Sequence, residues 1–427
     1  MKTPKKQSPW MIIIAIVLAF IIGKITGTQA GIFGMTFYSF YDFFGQLFIN
    51  ALTLVVVPLV SSAIITGIAR IGGDESFGRL GLKIFGFYVI TTLSAVLLGL
   101  FFVNIIKPGL SHGIDVTAVT GSGSLSAVQE KISSHGVDSF AHLIHSIIPS
   151  NIFHAFSAGD MLAVIFFSLL FGYSLSKIAF EPSHIVQNFF QGIFQAMIRI
   201  THMIMKVLPF GVFCLVAKVA ATTGFESLYS LALFFSTVIL GLLLFTCLLL
   251  PLLLKFVAKV SPLRHFKAMA PALITAFSTS SSSATLPITI DCVEKRAGVS
   301  NRICSLVVPL GTSLNMSGSA LYEVVAAMFV AQVYGIEITL SSQIIFVLLA
   351  LLTSMGVAGI PAASLVAVVV ILKVFGLPVE GIGLFLAVDR ILDMCRTTVN
   401  VFSDSCCAVL VAKSEGEKNV LKKDSFA

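Results

Sequence analysis

The hydrophobic pattern divides the chain into two unlike parts. Six apolar segments come first, at 10–30, 38–70, 80–106, 143–178, 188–221 and 228–258. A helix needs about 20 apolar residues to cross the roughly 30 Å hydrocarbon core of a bilayer, so each segment predicts a spanning helix, with tilt or a break in the longer ones. Pro58, Pro149 and Pro209 punctuate them. Backbone groups freed by proline are tolerable at membrane depth only where neighbouring helices satisfy them. The first segment follows Lys2, Lys5 and Lys6, as in a signal peptide, but no clear small-residue cleavage site follows it, so it reads as a retained helix.

From Ala270 the pattern changes. Ala270–Phe277 and Ala284–Ile290 are arms too short to cross alone, and the serine-rich run 278–283 separates them. Such runs are ordinarily flexible linkers. Between hydrophobic arms this one predicts the cavity-lining tip of a re-entrant hairpin, 262–291. The long apolar stretch Ile303–Val333 carries Gly311, Thr312, Ser313, Leu314, Asn315, Met316, Ser317 and Gly318 near its middle, which predicts a broken helix (297–333) whose carbonyls can bind a small cation. Glycine-mediated helix packing is the competing reading of the two glycines. Asn315 weighs against it, because an amide at membrane depth needs a partner. Ile344–Leu352 and Leu365–Phe375 flank a second tip at 354–364, giving a second hairpin, 339–376.

The last apolar segment, Val388–Val411, carries Asp389, Arg390, Asp393, Arg396 and Asp404. Each charge costs roughly 2.5 to 3.5 kcal/mol near the centre of a membrane helix, so these residues face protein, water or a ligand rather than lipid. At about 100° per residue, Asp389, Asp393, Arg396, Thr397, Asn400 and Asp404 share one stripe, which predicts a helix (378–412) polar on one face and lipid-like on the other. Internal ion pairs account for part of the stripe, but Asn400 and Asp404 gain nothing from them, so it reads as a binding face. A hairpin followed by a polar or broken helix occurs twice, starting from opposite sides of the membrane. Inverted repeats of that kind place a transport site at the midplane between them.

Composition narrows the class. The 427 residues are 57% hydrophobic and 11% charged, with a mean hydropathy of +1.00, against about 25% charged for a soluble domain. The net charge of +7 is explained by topology rather than nucleic acid. Lys2, Lys5 and Lys6, then Arg70, Arg79 and Lys83, then Lys255, Lys259, Arg264 and Lys267, and finally Lys413, Lys418, Lys422 and Lys423 fall on one side if the spans alternate, which makes that side cytoplasmic. Both termini are then cytoplasmic, and the loop 107–142 is outside. The seven cysteines show no metal or disulfide spacing.

The motifs SSSSATLP (280–287), NMSGSALYE (315–323), AGIP (358–361) and DMCRTTVNVFSD (393–404) resemble those of the dicarboxylate/amino acid:cation symporter family, which includes glutamate and aspartate transporters. The likeness covers nearly the whole chain. It implies an all-α membrane fold of eight transmembrane helices plus two re-entrant hairpins, assembled as a homotrimer; short termini and no large outer insert predict the plasma (inner) membrane of a bacterium. It also implies an elevator-like division between six N-terminal helices (1–258), which hold the trimerisation scaffold and part of the moving domain, and a transport core (259–413) with a cytoplasmic tail (414–427).

By matching position, the resemblance implies that Arg396 binds the substrate's side-chain carboxylate and Asp393 its ammonium group. Thr397, Asn400 and Ser319 lie beside them, and Ser280, Ser282, Ile360 and Ser364 close over the ligand. Gly311, Asn315, Asn400 and Asp404 match one sodium site, Ser313 and Ser354 a second, and Tyr88, Thr91 and Thr92 a third. Ser317 stands where the third site has an acid, which weakens it. Glu323 matches the proton carrier of proton-coupled relatives, and a desolvated Glu titrates near neutral pH; a permanent ion pair with an arginine is the competing reading. Relatives keep an arginine where this chain has Ser280 or Met394, and Arg390 is placed to serve instead. Ala362 and Ser364 replace glycines, which favours aspartate over glutamate.

The expected function is symport of acidic amino acids with Na⁺, H⁺ or both. Carriers of four-carbon dicarboxylates or neutral amino acids, an ion channel and a membrane enzyme are the rivals. Asp393 speaks against the first, Arg396 against the second, and the paired tips against a channel. The serines lack the His/Asp partners an enzyme would need.

Overall fold

Proline and glycine set most of the element boundaries. The structure, a computed structural model, describes residues 9–32, 35–71, 75–110, 148–223, 226–336, 338–356 and 363–421. Helix α1 (Pro9–Thr26) leads through a minimal antiparallel pair, Gly31–Ile32 (β1) with Met35–Thr36 (β2), into α2 (Phe37–Ile71) and α3 (Glu75–Ile106). The expected segment 143–178 is two helices in its described part. Asn151 caps α4 (Ile152–Ala158) by accepting from the Phe153 and His154 amides, and Gly159, left-handed at φ 73°, ends it before α5 (Met161–Leu175).

The segment expected at 188–221 also divides, into α6 (Phe180–Lys206) and α7 (Leu208–Thr223), bent by 59°. Pro209 lies at the bend, where its missing N–H costs a helix least. Helix α8 (Glu226–Leu244) widens into a π turn at Phe245–Leu249 and continues as α9 (Leu250–Phe256). Pro251, with no N–H to return to the preceding turn, accounts for the widening. Among the described residues, four stretches are long and apolar enough to cross a membrane: Phe37–Ala69, Leu80–Ile106, Tyr229–Phe256 and Asn301–Val333.

The α-helices of the second half run from 10 to 18 residues, except the last. Helices α10 (Pro262–Thr279) and α11 (Ser282–Asp291) pack against each other across a turn of only Ser280 and Ser281. The serine-rich tip is therefore shorter than expected. Ser278 and Thr279 stay helical, and Ser282 resumes the helix because Ser281 caps it by accepting from the Ala284 amide at 3.2 Å. After a π turn at Cys292–Arg296, helices α12 (Asn301–Leu314) and α13 (Ser317–Val333) are one span broken only at Asn315 and Met316, a narrower break than 311–318. Helices α14 (Leu340–Gly356) and α15 (Ala363–Val374) pack on each other as the second arm pair; Ile360 and most of its tip lie outside the described residues. A 3-10 turn at Val379–Leu384 leads into α16 (Leu386–Ser414).

Helix α16 is the axis of the second half. It touches α3, α8, α10, α11, α12 and α13, and every residue from Val399 to Ala412 is buried. This corrects the expected lipid-like face over 399–412, where the apolar side of α16 meets protein, while Ile391 nearer its start is exposed. Intrahelical spacing reveals amphipathicity, but it cannot tell a lipid tail from the leucine of a neighbouring helix.

The segment after α16 is also docked. The Ser300 amide donates to Glu417 at 3.1 Å and the Ser300 hydroxyl bonds the other carboxylate oxygen, so the tail supplies an anion to the start of α12. The Leu421 amide donates to the Ala297 carbonyl at 2.8 Å, Arg264 donates to the Leu421 carbonyl at 3.2 Å, and Lys83 pairs with Glu415. Val420 and Leu421 are buried. Leu421→Ser removes most of that burial, worth about 2 kcal/mol. Hydrogen exchange across 415–421 is expected to speed up about thirtyfold; unchanged protection would show that the polar contacts alone hold the strap.

Candidate functional site

Spacings of three, four and seven residues bring Asp389, Asp393 and Arg396 onto one face of α16. The Arg396 side chain is 1% exposed. Its Nη1 donates to Asp389 Oδ1 at 2.9 Å and its Nη2 to Asp393 Oδ1 at 3.0 Å. Tyr322 of α13 covers one face of the guanidinium, with its ring centroid 3.7 Å from Cζ, and its hydroxyl donates to Asp389 Oδ1 at 2.8 Å. Arg390 reaches Asp393 Oδ2 at 3.4 Å. Two carboxylates and two guanidiniums thus form one cluster. The Nε atoms of Arg390 and Arg396 are buried with no hydrogen-bond partner among the described residues.

One turn further, Asn400 secures the break in the opposing helix. Its Oδ1 accepts from the Gly318 and Ser319 amides at 2.8 and 3.3 Å, which are among the N–H groups left open at the start of α13. Its Nδ2 donates to Ser319 Oγ at 3.0 Å and contacts Met316 Sδ at 3.2 Å. Asp404 then meets the other side of the break. Its Oδ1 accepts from Asn315 Nδ2 at 2.9 Å, and its carboxylate lies so close on Gly311 that a Cβ there would come within 2.6 Å of Oδ1. Gly311 is therefore required for close approach, not for backbone freedom.

Asn315 joins this carboxylate to α3. Its Oδ1 accepts from Ser317 Oγ at 3.0 Å, Thr91 Oγ1 at 3.1 Å and Thr92 Oγ1 at 3.3 Å. Ser317 Oγ also lies 3.2 Å from both Thr92 Oγ1 and Ser403 Oγ, so hydroxyls occupy the place where an acid was expected. The Tyr88 hydroxyl donates to the Val307 carbonyl at 2.5 Å. The result is a buried oxygen-rich cluster with one carboxylate, the donor chemistry that suits a small hard cation.

Glu323 is fully buried on α13. Its Oε2 accepts from Thr353 Oγ1 of α14 at 2.8 Å, and its Oε1 has no partner among the described residues. The competing reading, a standing ion pair with an arginine, does not describe it: the hydrogen bonds of Arg396 go to Asp389 and Asp393, and that of Arg390 to Asp393.

The remaining candidates lie on the arm pairs and beside Arg396. Ser280 is held in the left-handed region at φ 50°, uncommon for a residue with a Cβ, and its Oγ is buried without a partner among the described residues. Ser282, Ser364 and Thr397 are buried, and Ser313 is half-buried. Ser354 is buried with its hydroxyl donating to the Leu351 carbonyl at 2.9 Å.

The sequence profile of the sodium:dicarboxylate symporter family matches residues 9–414. The chain is 36% identical over 421 residues to the proton/sodium-glutamate symport protein of Bacillus caldotenax, covering 98% of this chain and 96% of that one. It belongs to the sodium:dicarboxylate symporter family. Further relatives are the proton/glutamate-aspartate symporter of Escherichia coli strain K12, 34% identical over 97% of this chain and 94% of that one, and the C4-dicarboxylate transport protein of Bacillus subtilis strain 168, 32% identical over 87% of each chain. Members of this family are secondary transporters, so the chain is a symporter and not an enzyme.

Within this symporter, three contributors were given no site role from the sequence. Asp389 was visible on the polar stripe, but only the fold shows it as the second carboxylate on Arg396. Tyr322 and Thr353 sit in apolar runs and gave no signal. The Glu323 that each flanks or faces was the clue, because a buried acid requires polar neighbours.

Proposed function

We propose that this symporter takes up acidic amino acids, L-glutamate and L-aspartate, with H⁺, Na⁺ or both. The observation that carries the reading is the Arg396 cluster. Its two forks rest on Asp389 and Asp393, so the protein's own carboxylates occupy the guanidinium. A substrate side-chain carboxylate can take one fork in the bidentate geometry arginine favours, while the freed Asp393 accepts the substrate's ammonium group. A neutral amino acid offers nothing to the fork. A dicarboxylate without an amine leaves Asp393 unpaired, although one relative is named a C4-dicarboxylate transport protein.

In this reading Thr397, Asn400 and Ser319 contact the substrate, with Ser280 and Ser282 on one tip and Ile360 and Ser364 on the other. Gly311, Asn315, Asn400 and Asp404 hold Na⁺, Ser313 and Ser354 a second ion, and Glu323 carries the proton. The hydroxyls around Ser317 leave the Tyr88, Thr91 and Thr92 site without its own acid, which favours H⁺ at Glu323 as the partner ion. The chain forms eight membrane helices and two re-entrant hairpins, the latter at 262–291 and 339–376, in a homotrimer of the inner membrane. Residues 1–258 supply the scaffold and part of the moving domain, and 259–413 the transport core. The one-sided lysines and arginines support cytoplasmic termini.

The test is L-aspartate uptake into proteoliposomes under separate proton and sodium gradients. Proton-driven uptake lost in Glu323→Gln is the expected result. Sodium-driven uptake that survives the substitution would make Glu323 structural, and no uptake under either gradient would overturn the substrate assignment.

A further inference from the structure

The Thr353 hydroxyl has one hydrogen and more than one place to put it. Thr353 Oγ1 lies 2.8 Å from Glu323 Oε2 on α13 and 2.8 Å from the Leu349 carbonyl of its own helix, with the Ala350 carbonyl at 3.4 Å. A threonine hydroxyl donates once and accepts through two lone pairs, so it cannot donate to the carboxylate and to Leu349 together. All of these groups are buried, and a buried polar atom left without a partner is costly.

We infer that Thr353 is the positioning residue that lets Glu323 gain and lose a proton while the first arm of the second hairpin stays in place. With Glu323 ionised, the Thr353 hydrogen points to Oε2. With Glu323 protonated on Oε2, the acid donates to Thr353 Oγ1, and the threonine turns its own hydrogen to the Leu349 carbonyl. One proton has been added to Glu323, no other bond to hydrogen has broken, and the contact between α13 and α14 persists with its direction reversed.

The charges around this pair are few. Arg396 on α16, bonded to Asp389 and Asp393, acts electrostatically on Glu323. Tyr322, the neighbour of Glu323 on α13, donates to Asp389, and Tyr88 on α3 donates to Val307. Helix α14 has no charged residue; Glu226 of α8, Lys373 of α15, and Glu75, Arg79 and Lys83 of α3 lie towards the ends of their helices. No charged side chain is thus hydrogen-bonded to Glu323 among the described residues, and the threonine is its direct polar partner.

The inference rests on Glu323 as the proton carrier, and the experiment separates the two. The dissociation constant for L-aspartate is measured from pH 5 to 9 on the purified full-length protein. The wild type should weaken about tenfold per pH unit above its midpoint, and Glu323→Gln should be flat. Thr353→Val keeps the shape of the side chain but removes both the donor to the ionised form and the acceptor for the protonated form, and the charge-assisted bond to the carboxylate is the larger loss. Its midpoint should therefore move to higher pH by about one unit, equivalent to a tenfold change. Thr353→Ser should restore the wild-type profile. A Thr353→Val midpoint equal to the wild type's, with Glu323→Gln flat, would overturn the role of Thr353 alone. A Glu323→Gln profile that follows the wild type's would overturn both readings. Failure of Thr353→Ser to restore the profile would assign the effect to packing and overturn the switch.

Discussion

Arg396→Ala is expected to abolish uptake of L-aspartate and L-glutamate, with binding weakened by at least about 100-fold. The substitution removes the group that receives the substrate carboxylate. It also leaves two buried carboxylates without their shared guanidinium, Asp389 keeping the Tyr322 hydroxyl at 2.8 Å and Asp393 the Arg390 contact at 3.4 Å, and stranding a charge by deleting its buried partner costs about 3–5 kcal/mol. The loss cannot be repaired by lysine. A single ammonium does not reproduce two N–H donors aimed at Asp389 Oδ1 and Asp393 Oδ1, nor the flat contact with the Tyr322 ring. Radiolabelled binding by Arg396→Ala and Arg396→Lys, with L-serine as a neutral competitor, measures this. Retention of tight L-aspartate binding by either variant would place the acid-recognition site elsewhere.

Gly311→Ala should be nearly as damaging, and through the cation rather than the substrate. The added Cβ would stand 2.6 Å from Asp404 Oδ1 and 2.7 Å from its Cγ, so the carboxylate must move and the Asn315 bond at 2.9 Å must stretch or break. Overpacking of this kind costs roughly 1–3 kcal/mol, and here it falls on the one carboxylate of the oxygen cluster. Sodium-stimulated L-aspartate uptake is expected to fall by about tenfold or more. Gly86→Ala on α3 is the control: among the described residues nothing beyond its own helical turn lies within 4 Å of its Cβ position, so helix propensity should make it neutral or slightly stabilising. Equal sodium responses in Gly311→Ala and wild type would remove Gly311 and Asp404 from the cation site.

The two substitutions differ in what was legible beforehand. The stripe Asp389, Asp393, Arg396, Asn400 and Asp404 could be read directly, because charges in an apolar helix are too costly to be incidental and helical spacing puts them on one face. The polar interruptions at 278–283 and at Asn315 were legible for the same reason: polar backbone cannot face hydrocarbon unsatisfied, so its position in an apolar run marks a break. Class, helical fold and family motifs therefore followed from order and composition along the chain.

Only the tertiary structure decided the partners. Long-range neighbours do not appear in local periodicity. Arg396 resting on Asp389 as well as Asp393, the two-residue extent of the break at Asn315, the hydroxyls around Ser317 and the bond from Thr353 to Glu323 all depend on how α3, α13, α14 and α16 pack. The apolar side of α16 was misread because a helix surface selects for hydrophobicity alike against lipid and against protein. The strap from Glu415 to Leu421 had no signal for a comparable reason: its hold comes from Arg264, Ala297 and Ser300, more than a hundred residues earlier in the chain. Residue chemistry determined which side chains had to be satisfied, and the packing of distant helices decided what satisfies them.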